Sequence, residues 1–437
     1  MATAPKENQA KKRKKSHSGS HFSRNFVIVL LSIVACVVAY MVYQVLTKGA
    51  VFPTTGTGIV VTQQTTSVNL EAEPTEPSTS ASEVETEPSS ETEPVTEPEE
   101  LDPEELANEL LDGLTLEEKV WQMMFVSPQT LVGEAGTQLP VGGLYYPEET
   151  LTDTGILLAQ LQNIQHAAQI PMLFGVAEEG GSVAPLYELG LTEASEPMRY
   201  YGELDDTNLA YQYALQLGQK LDDVGFHYNL APVADVVTHP YNDNVGDRSF
   251  SLSASVASRM VSSMVSGMQE GGTIACLKHF PGLGSTAYDN GIDMTYQLLE
   301  DLREAELLPF QAGIEAGVEM VLVSNMAALN ITGSYSLPCC MSSEVVTDLL
   351  RSELGFDGVI LSDSLSENVI VWNYSAGDAA LNAVMAGCDV VYLSSDPEAA
   401  VAAIVAAVQD GRLTEEQINE SVYRILLLKC RYGVITD

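Results

Sequence analysis

The sequence predicts an α/β fold, a (β/α)8 barrel of the TIM type over residues 101–437, preceded by a transmembrane helix and a disordered linker. Three observations carry this. From residue 101 onward short apolar runs alternate with longer amphipathic stretches, the pattern of a parallel sheet whose strands are joined by crossover helices. There are eight such runs, the number that closes a barrel. Several end in polar residues followed by Gly or Pro, and in a barrel the carboxyl ends of the strands converge on one face. A doubly wound open sheet is the alternative, but it needs a switch point, and no Gly-rich phosphate fingerprint supports it.

Taken in order, residues 1–25 form a solvated basic tail, with Lys11, Lys12, Arg13, Lys14, Lys15 and Arg24 against the single acid Glu7. Residues 26–46, FVIVLLSIVACVVAYMVYQVL, hold no charge and are long enough as a helix for a hydrocarbon core of ~30 Å. A cleaved signal peptide and a lipid-attachment site ending at Cys36 are the other readings of this run. Its continuation for ten residues past Cys36 argues against both. The basic cluster precedes the run, and no Lys or Arg lies between Lys48 and Lys119, so the N-terminus is expected in the cytoplasm and the rest of the chain outside.

Residues 47–100 are rich in Thr, Ser, Pro and Glu and poor in large apolar side chains. Such a segment cannot offset its ordering entropy by burial, and its repelling Glu residues and stiff prolines suit a spacer that lifts a domain off the membrane. Part of the net charge of −40 comes from this linker, and the sign of that charge excludes nucleic acid as a partner.

The eight predicted strands are residues 123–126, 143–146, 172–176, 226–230, 274–277, 320–324, 359–362 and 390–393. Helical periodicity fills 207–224, 254–271, 301–317 and 342–355, each closed by a Gly at or just beyond its end, where a C-cap sits. Outside the membrane run the cysteines are Cys276, Cys339, Cys340, Cys388 and Cys430, an odd number without metal-type spacing. Cys276, inside a strand, reads as a small buried apolar residue.

Unusual chemistry and backbone signals coincide at residues 278–291, KHFPGLGSTAYDNG, where the fifth strand empties into Pro and Gly. Lys278 and His279 are poor core residues and good ligands for a polar small molecule. After the third strand comes the sequence AEEGGSV, residues 177–183, which reads as a tight turn with Glu179 as an internal hydrogen-bond acceptor at least as well as it reads as a ligand-binding segment. After the fourth strand, Arg248 offers a planar donor fork suited to vicinal hydroxyls or an acetamido group, or else to pairing with Asp235 or Asp247. Asp363 ends the seventh strand, where it either attacks a substrate or caps the next helix; Asp357 lies close by in sequence.

These segments resemble glycoside hydrolase family 3, of the bacterial β-N-acetylglucosaminidase type, from about residue 114 to the C-terminus. The stretch 278–291 is similar to the family's K-H-F-P-G-H-G-x-x-x-x-D-S-H, in which the Lys-His pair binds the sugar and the distal Asp-His dyad supplies the general acid/base. Lys278, His279 and Asp289 match, whereas Leu283 replaces the middle His and Gly291 the final one. Residues 229–235 and 245–250 are similar to N-x-A-P-V-x-D and G-x-R-S-F, which gives Arg248 a sugar-binding role. The segment 355–363 resembles G-F-x-G-x-x-x-S-D, whose Asp is the nucleophile, here Asp363. Where the family has D-Q-E-G-G-R-V and a second Arg three residues on, this chain has Ala177 and Pro185 at the Asp and second Arg.

The resemblance implies a retaining hydrolase of terminal β-linked N-acetylhexosamine, with a wall or other amino-sugar glycan as partner and Asp289 as the remnant of the dyad. Gly291 cannot protonate a leaving group, and His166, His227, His239 and His279 all fall outside the loop where the dyad works. Asp289 and Asp293 are left as candidate acids, provided an apolar setting raises the pKa. The second reading is a non-catalytic relative that binds glycan or protein through the old pocket. No cofactor, metal ion or oligomeric state is implied.

Overall fold

The structure is a computed structural model that describes residues 102–133, 136–239, 242, 244–289, 292–393 and 395–436. The predicted basic tail, membrane helix and linker lie outside the described residues. Among those described, no helix is long and apolar enough to cross a membrane.

All eight predicted runs form strands. In chain order the strands are β1 Met124–Val126, β2 Gly143–Tyr145, β3 Leu173–Val176, β4 Tyr228–Asn229, β5 Ile274–Phe280, β6 Ala287–Asp289, β7 Ile292–Thr295, β8 Met320–Val323, β9 Ala327–Ala328, β10 Val359–Ser362 and β11 Val391–Tyr392. Eight of them make one parallel sheet in the order β10-β8-β5-β4-β3-β2-β1-β11. A parallel bridge between Leu361 and Val390 joins the two outer strands, so the sheet all but closes on itself. Strands with side chains facing a packed interior on one side and helices on the other are apolar throughout, which is why β3, β8 and β10 are buried along their whole length.

The surrounding helices follow from local rules. In Thr207–Val224 the Asp206 carboxylate accepts from the amides of Asn208 and Leu209, and Ala210, Ala214, Leu217 and Leu221 recur on one buried face. That face packs on Ala254–Glu270, whose buried side includes Ala257, Met260, Val261, Met264 and Met268.

Two expectations change. The helix predicted over 301–317 is split into Leu299–Glu304 and Leu307–Glu315. Pro309 has no N–H and crowds the carbonyl four residues earlier, and Ala305, at φ −136°, is the residue that breaks. Around the pivotal stretch, β5 runs past Leu277 to Phe280 and carries Lys278 and His279 at its carboxyl end, where the sequence put them. Lys278 is held there by a bridge to Val233 and by its carbonyl, which accepts from the Ala234 amide at 2.7 Å. The expected loop beyond is an antiparallel hairpin, β6 with β7, and β7 pairs in turn with β9.

Candidate active site

At the carboxyl ends of β3, β4 and β5 three charged side chains are tied together. Glu179 follows the end of β3 and is 3% exposed. Its two oxygens accept from Nε and Nη2 of Arg248 at 2.7 and 2.8 Å, and from Nζ of Lys278 at 2.5 Å. Burial by itself raises a carboxyl pKa; here Lys278 and Arg248 outweigh it and hold Glu179 down at about 2. The turn that delivers Glu179 needs backbone that bulky residues avoid, and Gly180 and Gly181 supply it at φ 97° and 59°. The predicted turn and acceptor role of Glu179 are thus both present. Arg248 pairs with Glu179 rather than with Asp235 or Asp247, the partners the sequence suggested. Nη1 of Arg248 donates to the Asn244 carbonyl at 3.0 Å, so among the described residues three of its five N–H donors are engaged and two are left for a ligand.

Asp235, fully buried, fixes His279. One carboxylate oxygen accepts from the amides of His279 and Leu283 at 3.2 and 2.8 Å, and the other lies 2.7 Å from Nδ1 of the imidazole. With Nδ1 turned to Asp235, Nε2 is the ring nitrogen available to the cavity that His279 lines. The loop beyond is packed against the same segment. A side chain at Gly284 would meet the Val236 carbonyl at 1.6 Å, so only glycine fits there.

On the opposite side of the mouth stand two carboxyl groups held by amide donors. Asp363 follows β10 directly; its Oδ1 accepts from the Ser364 amide at 2.8 Å and its Oδ2 from the Asn325 amide at 3.4 Å. It does not cap the next helix, Asn368–Val371, whose N-cap residue is Glu367. Asn325, just past β8, also sends its side-chain amide to the Ser364 carbonyl at 2.8 Å and to Oε2 of Glu367 at 3.1 Å, and its carbonyl oxygen accepts from the Cys340 thiol. Glu367 is pushed up to about 7, first by burial and then by the negative charges of Asp363 and Asp293, against the pull of the Asn325 amide. Asp293, on β7, is raised by burial, with Asn244 and His279 acting against it and Asp363 with it.

These groups share one cavity of about 580 Å³, lined by Arg248, His279, Asp293, Asp363 and Glu367 and rimmed by Tyr288, which is 72% exposed. Asp363 therefore faces the same opening as Arg248 and His279. Lys278 is different: it is 5% exposed, its ammonium lies on Glu179, and it is not among the residues that line the cavity. Asp289 closes β6 by pairing with Ile292, but its side chain, like Gly291, lies outside the described residues. Asp357 precedes β10 and lines a separate opening at the other end of that strand, together with Glu319 and Arg424. Cys276 is buried, and burial pushes its thiol up to about 12, as befits a core residue.

Residues 115–428 match the model of the glycosyl hydrolase family 3 N-terminal domain. The chain belongs to glycoside hydrolase family 3. It is 27% identical over 329 residues to a β-hexosaminidase A of Pseudoalteromonas piscicida, covering 69% of this chain and 55% of that one. It is 33% identical over 243 residues to a β-hexosaminidase of Stenotrophomonas maltophilia, covering 52% of this chain and 68% of the relative. Among solved structures it resembles a family 3 β-N-acetylglucosaminidase from Paenibacillus at 34% identity and a TM-score of 0.69, over 74% of this chain and 63% of that one. The chain thus spans little more than half the length of the Pseudoalteromonas relative.

Sequence reasoning missed two members of this family 3 site, Asn325 and Glu367. Both had a signal of a kind: Asn325 directly follows the predicted strand 320–324, and Glu367 stands four residues after Asp363.

Proposed function

We propose that this family 3 protein hydrolyses terminal β-linked N-acetylhexosamine from wall or other amino-sugar glycans, with retention, and that Asp363 is the nucleophile. The observation that carries this is Asp363 at the mouth of the barrel, facing one cavity with Arg248 and His279. A carboxylate so placed attacks the anomeric carbon and forms a glycosyl ester, which water then hydrolyses. The two unused N–H donors of Arg248 and the Nε2 of His279 are positioned to hydrogen-bond the sugar's hydroxyl or acetamido groups. Lys278 acts through Glu179, fixing the fork rather than touching the sugar. The names of the relatives support the choice of amino sugar.

The basic tail, the uncharged run 26–46 and the linker support a single-pass protein with its N-terminus in the cytoplasm and the barrel outside the membrane. Proteolysis of intact cells tests this: loss of the barrel epitope on the outer face is expected, and full protection overturns the topology.

The catalytic reading is tested with 2,4-dinitrophenyl β-N-acetylglucosaminide, whose leaving group needs no protonation. Turnover by the native protein is expected, with a loss on the order of 10⁴-fold in Asp363→Asn. A native protein that leaves this substrate intact but retains an N-acetylglucosamine oligomer on equilibrium dialysis is a glycan binder. The replacement of the family's acid histidine by Gly291 is the observation that favours this second reading.

A further inference from the structure

We propose that Glu367 supplies the proton to the leaving group, in the place of the acid histidine that this chain lacks. The inference rests on the hydrolase reading above and names a residue within the same site. Its basis is geometric: Glu367 lines the cavity into which Asp363 faces, and Asn325 ties the two together, its backbone N–H on Asp363 and its side-chain amide on Glu367. A retaining mechanism needs two carboxyl groups about 5 to 5.5 Å apart on either side of one glycosidic bond, one ionised and one protonated. A shared clamp on rigid strand ends is a means of holding two such groups at a fixed spacing.

Electrostatics support the division of labour. Glu367 stands at the solvent-exposed rim of the cavity, and the groups that face it from the elements around it are Asp363 at the end of β10, Asp293 on β7, His279 on β5, Arg248 across the cavity and Cys340 behind Asn325. Burial and the Asp363 charge bring its pKa to about 7, so it keeps its proton in neutral solution more readily than an ordinary carboxyl. Of the candidates that the sequence offered, the side chain of Asp289 lies outside the described residues, and Asp293 is raised by burial but opposed by two neighbours. Asp293 is held by the Asn244 amide at 3.3 Å and faces the stabilising charge of His279, both of which favour its ionised form.

In the first step an Asp363 oxygen forms a bond to the anomeric carbon. The bond from that carbon to the glycosidic oxygen breaks, its electron pair stays on the oxygen, and the Glu367 proton goes to it. The products are a glycosyl ester on Asp363, the free aglycone alcohol and a Glu367 carboxylate. Ester formation removes the Asp363 charge, which is the second cause of the raised pKa, so Glu367 becomes a stronger acid at the moment it must stay ionised. In the second step its carboxylate takes a proton from water, the oxygen of that water bonds to the anomeric carbon, and the Asp363 carboxylate is released with Glu367 protonated again.

The test compares phenyl β-N-acetylglucosaminide, a poor leaving group, with the 2,4-dinitrophenyl glycoside, using the 437-residue chain. Glu367→Gln is expected to lower kcat/KM on the phenyl glycoside by roughly 10²- to 10⁴-fold and on the dinitrophenyl glycoside by far less. It should also remove a fall in the phenyl rate above pH about 7. In Glu367→Ala, added azide should restore dinitrophenyl turnover and yield the β-glycosyl azide, a product that a merely structural role for Glu367 does not produce. Equal losses on both substrates, no loss on either, or the selective loss appearing in Asp293→Asn instead each overturns the assignment. If the dinitrophenyl glycoside is turned over and Asp363→Asn abolishes that, while Glu367→Gln is not selective, this inference fails and the nucleophile stands. A native protein inert on both substrates overturns the two together.

Discussion

The two sides of the barrel mouth handle charge in opposite ways. On the β3–β5 side, Glu179 is closed in by an arginine and a lysine, and its pKa falls to about 2. On the β8–β10 side, Asp363 and Glu367 are held by amides of Asn325 and Ser364, and Glu367 rises to about 7. Glu179 is buried whereas Glu367 is exposed, so burial alone would raise Glu179 the more; the partners reverse that order. Paired charges are inert and stiff, and they hold the fork of Arg248 in place. Carboxyls that face each other with only neutral donors keep a proton in play, and that is where chemistry can occur.

The contrast breaks most visibly at Glu179. Glu179→Gln leaves an arginine and a lysine buried against a neutral amide, and removing one partner of a buried ion pair costs about 3 to 5 kcal/mol. Urea unfolding at pH 7 measures it. A cost below about 1 kcal/mol would mean that the two cations find other partners and that this side is not the rigid one.

On the other side the same kind of substitution is expected to act with the opposite sign at high pH. The folded-state pKa of Glu367 lies above the ordinary glutamate value, so the folded state binds the proton more tightly. The stability from that proton is complete below pH about 4.5 and is lost as pH rises through about 7. Glu367→Gln cannot titrate. Relative to the native protein it should therefore gain stability between pH 4 and pH 8, by less than the shift alone implies because solvent screens an exposed carboxyl. A difference in unfolding free energy that stays flat across this range breaks the comparison, because the two sides would then differ in geometry alone.

Much of the fold was legible in the sequence, for a physical reason. Strands buried on both faces are short apolar runs, and β1 to β5, β8, β10 and β11 announce themselves in that way. The end of the seventh predicted strand likewise put Asp363 at the mouth, where it lines the cavity, while Asp357, close by in sequence, lines a separate opening. What stayed hidden was pairing at a distance. Glu179 and Arg248 are 69 residues apart, and only closure of the barrel brings them together, so local spacing pointed to Asp235 and Asp247 instead. Glu367 was missed because a glutamate ahead of a short helix reads as a solvated first-turn acid. Its place in the cavity and its tie to Asn325 exist only once β8 and β10 lie side by side. The hairpin of β6 and β7 was read as loop because Gly and Asn at its tip hid the short strands on either side.

The smallest expected effect separates charge from shape on the paired side. Arg248→Lys keeps the positive charge beside Glu179 but replaces a rigid fork making three hydrogen bonds with a single ammonium on a flexible stem. If charge alone matters there, stability and kinetics stay near native values. If the fork matters, about 1 to 2 kcal/mol of stability is lost, in line with one or two hydrogen bonds to charged groups. KM for the dinitrophenyl glycoside should then rise while kcat changes less, because Arg248 holds the sugar in the ground state and the transition state alike. A fall in kcat with KM unchanged would instead place Arg248 among the groups that act only in the transition state, and would move part of the chemistry to the side assigned here to binding.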